Sequence, residues 1–232
     1  INHKKTILEG IQFVQEKIKG SMSMLILTPE GIYAARDKLG RTPIQIGHKE
    51  GSYCASFENY AYVNLGYTDY HELGPAEIVF MTADGIKTLQ QPGKEMKICT
   101  FLWIYYGYPT AEYEGVNVEN TRYLYGYQMG KEDDIEADLV SAIPDSGIAM
   151  ALGYSAGKQI PYKRGITKYT PTWSRSFMPP TQKDRDRIAH MKQIPVKELI
   201  DGNRLEAVIS MPSPVTKFSA DAMPFVVSAV PS

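Results

Sequence analysis

The sequence of 232 residues has few of the features that mark a specialised class of protein. It contains only two cysteines, Cys54 and Cys99, which are too few for a disulfide scaffold and favour a reducing compartment. Lys and Arg number 25 and Asp and Glu number 26, so the net charge is -1. Because binding to nucleic acid or to an anionic membrane needs a clustered positive field, we expect neither kind of partner.

Long hydrophobic runs and metal-ligand spacings are also missing. The apolar segment Ile98–Tyr108 is broken by polar and small residues and falls short of the ~20 residues that a membrane span needs. The first five residues carry charge with no apolar segment behind them, so no signal peptide is expected and the predicted location is cytoplasmic. The four histidines are scattered without a ligand pattern, so we predict no metal site formed by the protein alone.

The composition itself is that of a globular chain, with 43% hydrophobic and 22% charged residues. In residues 6–19 the apolar side chains recur every three or four positions, which predicts an amphipathic helix. Short apolar segments punctuated by glycine and proline follow, and they predict a mostly antiparallel sheet with covering helices up to residue 97. The predicted strands are Met22–Thr28, Gly31–Arg36, Ile44–Ile46, Ser52–Ser56, Glu77–Met81 and Gly85–Leu89.

After Lys97 the pattern changes to a longer alternation of strands and helices, which is typical of an α/β domain. A polar and aromatic loop at Lys168–Pro180 interrupts the alternation, and loops of this length are often functional. Residues 206–232 are rich in Pro, Ser and Ala and remain unassigned. The predicted elements are strands at Ile98–Tyr106 and Asp138–Ile143, and helices at Asn120–Gly130, Ser146–Gly157 and Thr181–Met191.

The segment Pro144–Gly147 lies between a predicted strand and a predicted helix. Where a strand meets a helix N-terminus, unpaired backbone N–H groups can bind an anion, and Ser146 and Gly147 would line such a turn. Alternatively, Asp145 or Ser146 simply caps the helix, because Asp and Ser are favoured capping residues. The residue types leave both interpretations open, and the two roles are compatible.

Basic residues in and beside the long loop suggest a lid. Lys168, Arg175, Arg185 and Lys192, placed opposite an anion-binding turn, would supply positive charge to a polyphosphate and exclude water. The alternative is a solvated loop whose charges have no specific partner, and the residues alone do not decide between the two.

One glycine-rich stretch, Gly153–Gln159, superficially looks like a phosphate-binding P-loop. The spacing between its glycines is one residue short, and Gln159 stands where Ser or Thr would hold magnesium. We therefore do not predict a P-loop there.

Two series of short motifs run along the chain in a consistent order. The first series is Gly20–Thr28, Ala35–Gly47 and Glu72–Val79. The second series is Ile98–Phe101, Tyr113–Val116, Pro144–Gly147, Ala151–Tyr154, Ile160–Tyr162, Lys168, Arg175–Pro179 and Gln182. Over roughly residues 1–205, the first series resembles the glutaminase half and the second series the phosphoribosyltransferase half of the amidophosphoribosyltransferases.

The resemblance implies a fold in two parts. Residues 1–97 would be the C-terminal part of an α+β N-terminal-nucleophile (type 2 glutaminase) domain. Residues 98–205 would be part of an α/β type I phosphoribosyltransferase domain. The implied activity is the transfer of ammonia from glutamine to phosphoribosyl pyrophosphate, which gives 5-phosphoribosylamine in the first step of de novo purine biosynthesis.

The resemblance also implies the site residues. Asp145, Ser146 and Gly147 match the pyrophosphate-binding turn of the family. Lys168 and Arg175 match basic residues of its flexible catalytic loop, although the loop here carries one extra residue. Magnesium would enter together with phosphoribosyl pyrophosphate, purine nucleotides would act as inhibitors, and the assembly would be a homo-oligomer.

The chain departs from the family pattern at three points. The family nucleophile is an N-terminal cysteine, whereas this chain begins at Ile1, so an N-terminal portion and the nucleophile are expected to be absent. The loop that grips the ribose phosphate is not found after Leu205. Cys99 is placed like a ligand of the iron-sulfur cluster of some members, but two cysteines cannot supply four ligands, so no cluster is expected. These departures leave an alternative, a non-catalytic module that binds phosphoribosyl pyrophosphate or nucleotides for regulation.

Overall fold

The computed structural model describes residues 4–171 and 178–208. The chain divides into two compact units. The first contains the residues up to Leu102 together with Tyr106–Val118, and the second contains Trp103–Tyr105 and the residues from Glu119 onward. Residues 98–102 and 106–118 therefore pack with the first unit, beyond the predicted boundary at residue 97.

The first unit is built mainly from antiparallel strands. Its helices are α1 (Ile7–Lys17) and α2 (Tyr60–Val63). Its strands are β1 (Ser23–Thr28), β2 (Gly31–Arg36), β3 (Gln45–Lys49), β4 (Ser52–Ser56), β5 (Thr68–Glu72), β6 (Ile78–Met81), β7 (Ile86–Gln90), β8 (Glu112–Tyr113) and β9 (Val116–Asn117).

The strands form two main sheets, one in the order β1-β2-β6-β7 and one in the order β4-β3-β5. Helix α1 begins at a Thr6 cap, whose hydroxyl accepts the Glu9 N–H at 3.1 Å, and its Ile11 packs against the β1-β2-β6-β7 sheet. A separate apolar cluster includes Ile46 of β3 and Val79 of β6. The short apolar segments that predicted these strands therefore supply the side chains of two apolar clusters.

A fully buried arginine connects several turns of the first unit. The Arg36 guanidinium donates to the carbonyls of Thr42 and Gly40 at 2.9 and 2.8 Å, and also to Leu73. Its charge is balanced by Glu114 at 2.8 Å. Buried arginine is stable only with such complete pairing, so this network fixes the loops around β2.

The predicted strand at Ile98–Tyr106 is wrong. Residues Leu102–Tyr106 form a π-helical turn, and the Gly107 N–H donates to the Leu102 carbonyl five residues earlier at 2.7 Å. A short apolar and aromatic run has no periodicity that separates a buried strand from a buried helical turn, which explains the error.

The second unit alternates helices and strands, as its sequence pattern predicts. Its helices are α3 (Val118–Glu132), α4 (Ile148–Lys158), α5 (Gln182–Lys192) and α6 (Lys197–Ile200). Its strands are β10 (Leu139–Ala142), β11 (Ile166–Lys168), β12 (Gln193–Pro195) and β13 (Leu205–Val208).

Strand β10 is the buried centre of this unit and pairs in parallel with β13, from Leu139 opposite Leu205 to Ala142 opposite Val208. Residues 206–208 therefore belong to the α/β unit and not to the unassigned tail. Strand β13 has four residues, of which three are apolar, so its pattern in the sequence is weak. Residues 209–232 lie outside the described part of the chain. Within the described part, no helix is long and apolar enough to cross a membrane.

Candidate functional site

The candidate site is the turn between β10 and α4. Every residue of β10 is buried, and beyond it the Ile143 N–H donates to the Val208 carbonyl of β13 at 2.9 Å. The chain then reverses, because the Gly147 N–H donates to the Ile143 carbonyl at 3.1 Å and α4 begins at the next residue. The buried strand therefore delivers residues 144–147 directly to the first turn of the helix.

The outer part of this turn faces solvent. Asp145 and Ser146 are exposed, whereas Gly147 is buried. A methyl group on Gly147 would lie 2.6 Å from the Val208 carbonyl oxygen and 2.8 Å from that of Ile143, so only glycine allows this close approach. Among the described residues, the backbone N–H groups of Asp145 and Ser146 meet no protein acceptor. Open N–H groups beside a helix N-terminus attract anions.

The side chain of Asp145 does not act as the helix cap that the sequence allowed. Gly147 occupies the cap position, and no side-chain cap hydrogen bond is formed there in the described residues. The Asp145 carboxylate instead accepts a hydrogen bond from Lys168, with 2.6 Å between Nζ and Oδ2. Two residues that the sequence predicted for one site are therefore in direct contact.

Lys168 is held by a small ribbon. It is the last residue of β11, and it pairs with Gln193 at the start of the antiparallel strand β12. The next pair of residues is also joined, because the Tyr169 N–H donates to the Lys192 carbonyl at 2.7 Å. The two ends of the segment 169–192, named the flap from here on, are thus held together beside the turn, and residues 172–177 within it lie outside the described part of the chain.

The other predicted lid residues have different outcomes. Arg175 lies outside the described residues, so its role stays a prediction. Arg185 donates to the carbonyls of Pro179 and Pro180 at 2.8 and 3.2 Å, and to Gln182 at the start of α5. Its guanidinium therefore organises the flap itself.

The sequence has clear relatives among curated proteins, although no family model matches it. It is 32% identical over 195 residues to amidophosphoribosyltransferase 1, chloroplastic, of Arabidopsis thaliana, and 30% identical over 204 residues to the amidophosphoribosyltransferase of Bacillus subtilis. These alignments cover 83% and 88% of this chain. The chain is homologous to the amidophosphoribosyltransferases.

Solved amidotransferase structures agree with this homology. The Bacillus subtilis glutamine phosphoribosylpyrophosphate amidotransferase complexed with ADP and GMP matches with a TM-score of 0.76 and 29% identity, over 88% of this chain and 45% of that one. A structure of the allosteric regulatory enzyme of purine biosynthesis matches with a TM-score of 0.77. The two curated relatives are covered over 34% and 43% of their length, so this chain spans less than half of each amidophosphoribosyltransferase.

Close backbone contacts at glycines position the helix behind the turn. Gly153 and Gly157 of α4 lie against the backbone of α3 near Tyr123 and Tyr127, and a methyl group on either glycine would collide with that backbone. Gly126 and Gly130 of α3 face α4 in the same way. The stretch Gly153–Gln159 that resembles a P-loop is therefore the C-terminal half of α4 and its cap residue, with no loop in it. Two glycine pairs spaced four residues apart were the available signal for this contact.

The far end of α4 carries a polar network. The Tyr154 hydroxyl donates to the Asp133 carboxylate, and Lys158 donates to the Asp133 carbonyl. Glu206 of β13 lies nearby, and its pKa is raised by burial and then by the negative charge of Asp133, with Lys158 opposing the shift. The two hydrogen bonds join α4 to the residue that follows α3.

Metal ligands are not grouped in the described part of the chain, where no three His, Cys, Asp or Glu side chains form a cluster that could hold an ion. Asp145 is the acidic residue of the turn itself. The two cysteines also differ from each other, since Cys54 is half-buried and Cys99 is exposed. Cys99 is therefore the more accessible of the two thiols.

Proposed function

We propose that this chain is part of an amidophosphoribosyltransferase, which makes 5-phosphoribosylamine from phosphoribosyl pyrophosphate and glutamine in the first step of de novo purine biosynthesis. The second unit would be the type I phosphoribosyltransferase part and the first unit the α+β glutaminase part. The observation that carries the proposal is the open turn at Asp145–Gly147 with Lys168 beside it, in a chain whose relatives bear that activity.

In this proposal the turn binds the pyrophosphate group. The N–H groups of Asp145 and Ser146 and the N-terminus of α4 would donate to its oxygens, and Gly147 allows the close backbone approach. The reaction breaks the bond between the ribosyl carbon and pyrophosphate and forms a bond to ammonia. Because the transition state is a loose ribosyl cation, the protein accelerates it by positioning and by stabilising the departing charge.

Magnesium is proposed to arrive on phosphoribosyl pyrophosphate, since the described residues form no metal cluster of their own. Bound there, it would neutralise part of the pyrophosphate charge. The flap between Tyr169 and Lys192 would cover the substrate and exclude water, with Arg175 as its proposed catalytic cation. The chain itself would contribute the turn, the flap, and Lys168 at the start of the flap.

The remaining expectations belong to the whole protein. We propose a cytoplasmic homo-oligomer that responds to purine nucleotides, supported by the ADP and GMP in the solved complex of the Bacillus subtilis relative. The Arabidopsis thaliana relatives are chloroplastic by name, so the compartment of this chain stays part of the proposal.

Ammonia-dependent turnover tests the proposal on the chain itself. The protein is incubated with phosphoribosyl pyrophosphate, magnesium and ammonium chloride, and pyrophosphate release is measured alongside calorimetric titration with the substrate. We expect binding and release, and both should fail in Ser146→Asp, which adds negative charge to the turn. Ser21→Asp adds the same charge to an exposed residue of the first unit and should change neither.

The outcome also separates the two candidate functions. Binding heat without pyrophosphate release would favour the regulatory module over the enzyme. Absence of binding heat at millimolar substrate would exclude both.

A further inference from the structure

The candidate pyrophosphate turn contains a negative charge of its own. Asp145 is one of the residues whose backbone N–H would face the anion, and 63% of its side chain is exposed at that surface. A carboxylate this close to a bound pyrophosphate repels it, because like charges across a few ångströms oppose binding. The turn therefore needs a compensating positive charge before it can bind an anion well.

Lys168 is the compensating group in the described part of the chain. Its Nζ lies 2.6 Å from Asp145 Oδ2, and no other described cation forms an ion pair with that carboxylate. The backbone of Lys168 is fixed by the register of β11 against β12, and the backbone of Asp145 is fixed by the turn. Both ends of the ion pair are thus set by the fold, although the side chains themselves are reachable by solvent.

We propose that Lys168 acts chiefly through Asp145: it cancels the carboxylate's charge so that the turn accepts pyrophosphate, and Asp145 in return holds the ammonium group over the turn. This inference rests on the proposed function and reassigns two residues of it. Asp145 becomes a positioning residue whose side chain is not a pyrophosphate ligand. Lys168 becomes the cation whose removal leaves an uncompensated charge at the binding surface.

A simpler role for Lys168 makes a different prediction. If the ammonium group served only as a direct ligand of the pyrophosphate, its loss would cost the same affinity whether or not Asp145 carries a charge. If it serves mainly to cancel that charge, removing the charge as well should restore affinity. A double-mutant cycle separates the two roles, because coupling between two residues appears only when they act on each other.

The cycle consists of wild type, Lys168→Met, Asp145→Asn and the double variant, titrated with magnesium pyrophosphate and with phosphoribosyl pyrophosphate. Lys168→Met should weaken binding by about tenfold, because it leaves the Asp145 carboxylate uncompensated beside the negatively charged pyrophosphate. Asp145→Asn should change binding by less than about threefold, and the double variant should recover to within about threefold of Asp145→Asn. Recovery in a variant with two substitutions is a result that a merely structural role for Lys168 would not give.

A matched control comes from another exposed ion pair. Lys38 lies 2.9 Å from Glu16 in the first unit, with both side chains more than half exposed. Lys38→Met removes a comparable surface pair and should leave pyrophosphate affinity unchanged. Thermal unfolding should show the same midpoint for all variants to within a few degrees, because exposed pairs contribute little to stability.

Two results would overturn the inference. A double variant as weak as Lys168→Met would mean that Lys168 is a direct ligand and that Asp145 is irrelevant to it, while the proposed function would stand. If wild type binds neither pyrophosphate nor phosphoribosyl pyrophosphate, the proposed function fails and the inference fails with it.

Discussion

The contact between α3 and α4 leads to a strong prediction about stability. Gly153→Ala adds one methyl group, which would lie 2.8 Å from the Tyr127 amide nitrogen and closer still to the Tyr123 carbonyl oxygen. In an open helix this substitution is favourable by about 1 kcal/mol, because alanine has the higher helix propensity. Here the methyl group meets the backbone of another helix, which cannot move aside as a side chain can.

The expected size follows from setting these two effects against each other. Overpacking a close contact costs about 1–3 kcal/mol, and a contact between two helix backbones belongs at the upper end. Subtracting the propensity gain leaves a net loss of about 2 kcal/mol in the free energy of unfolding. For a unit of roughly 100 residues this lowers the unfolding midpoint by about 10 °C.

Calorimetry and urea unfolding measure the effect, with Gly20→Ala as the control. Gly20 has no atom within 4 Å of the site of an added methyl group, so its substitution should change the midpoint little. Adding Gly126→Ala to Gly153→Ala should cost less than the sum of the single variants, because one separation of the helices relieves both clashes. A Gly153→Ala variant as stable as wild type would refute the backbone contact.

Three further predictions follow from buried or exposed groups. Arg36→Met should cost about 3–5 kcal/mol in urea unfolding, because it leaves buried acceptors and a carboxylate unpaired, and a loss below about 1 kcal/mol would contradict the network. Glu206 has a raised pKa in the folded chain, so its ionisation opposes folding as pH rises from the unfolded value of about 4.3 through the folded one. Glu206→Gln should therefore stabilise the protein at pH 7 and have no effect well below pH 4.3. An equal change in the free energy of unfolding at the two pH values would contradict this prediction. Cys99 should react with a thiol reagent before Cys54, because Cys99 is exposed while burial raises the pKa of the half-buried Cys54. Faster labelling of Cys99→Ser, which retains Cys54, than of Cys54→Ser, which retains Cys99, would contradict this prediction.

Much of the secondary structure follows from local pattern. The helices at α1, α3, α4 and α5 and the strands β1, β2 and β10 were predicted from periodicity and punctuation, because each buries one regular face or a continuous apolar run. The strand predicted at Ile98–Tyr106 failed because a run of aromatic residues fits a buried helical turn equally well. Strands as short as β11, β12 and β13 were missed because three or four residues carry too little pattern to stand out.

The candidate site was likewise predicted in part from local sequence, while the rest depended on contacts between distant segments. Residue types at Pro144–Gly147 predicted a turn that binds an anion or caps a helix, and the motif order predicted Lys168 as part of the same site. The choice between those roles for Asp145 depended on a contact 23 positions away along the chain. Nothing in local sequence determines which cation reaches a given carboxylate.

By itself, the sequence indicated a chain of two differently patterned halves, the family that it resembles, and a candidate anion-binding turn. Only the tertiary structure decided that Gly147 approaches the end of β13, that Gly153 lies against the backbone of α3, and that Lys168 forms an ion pair with Asp145. The physical reason is that periodicity and capping are local properties of the chain. Close backbone approach and ion pairing depend instead on distances between segments that the sequence places far apart.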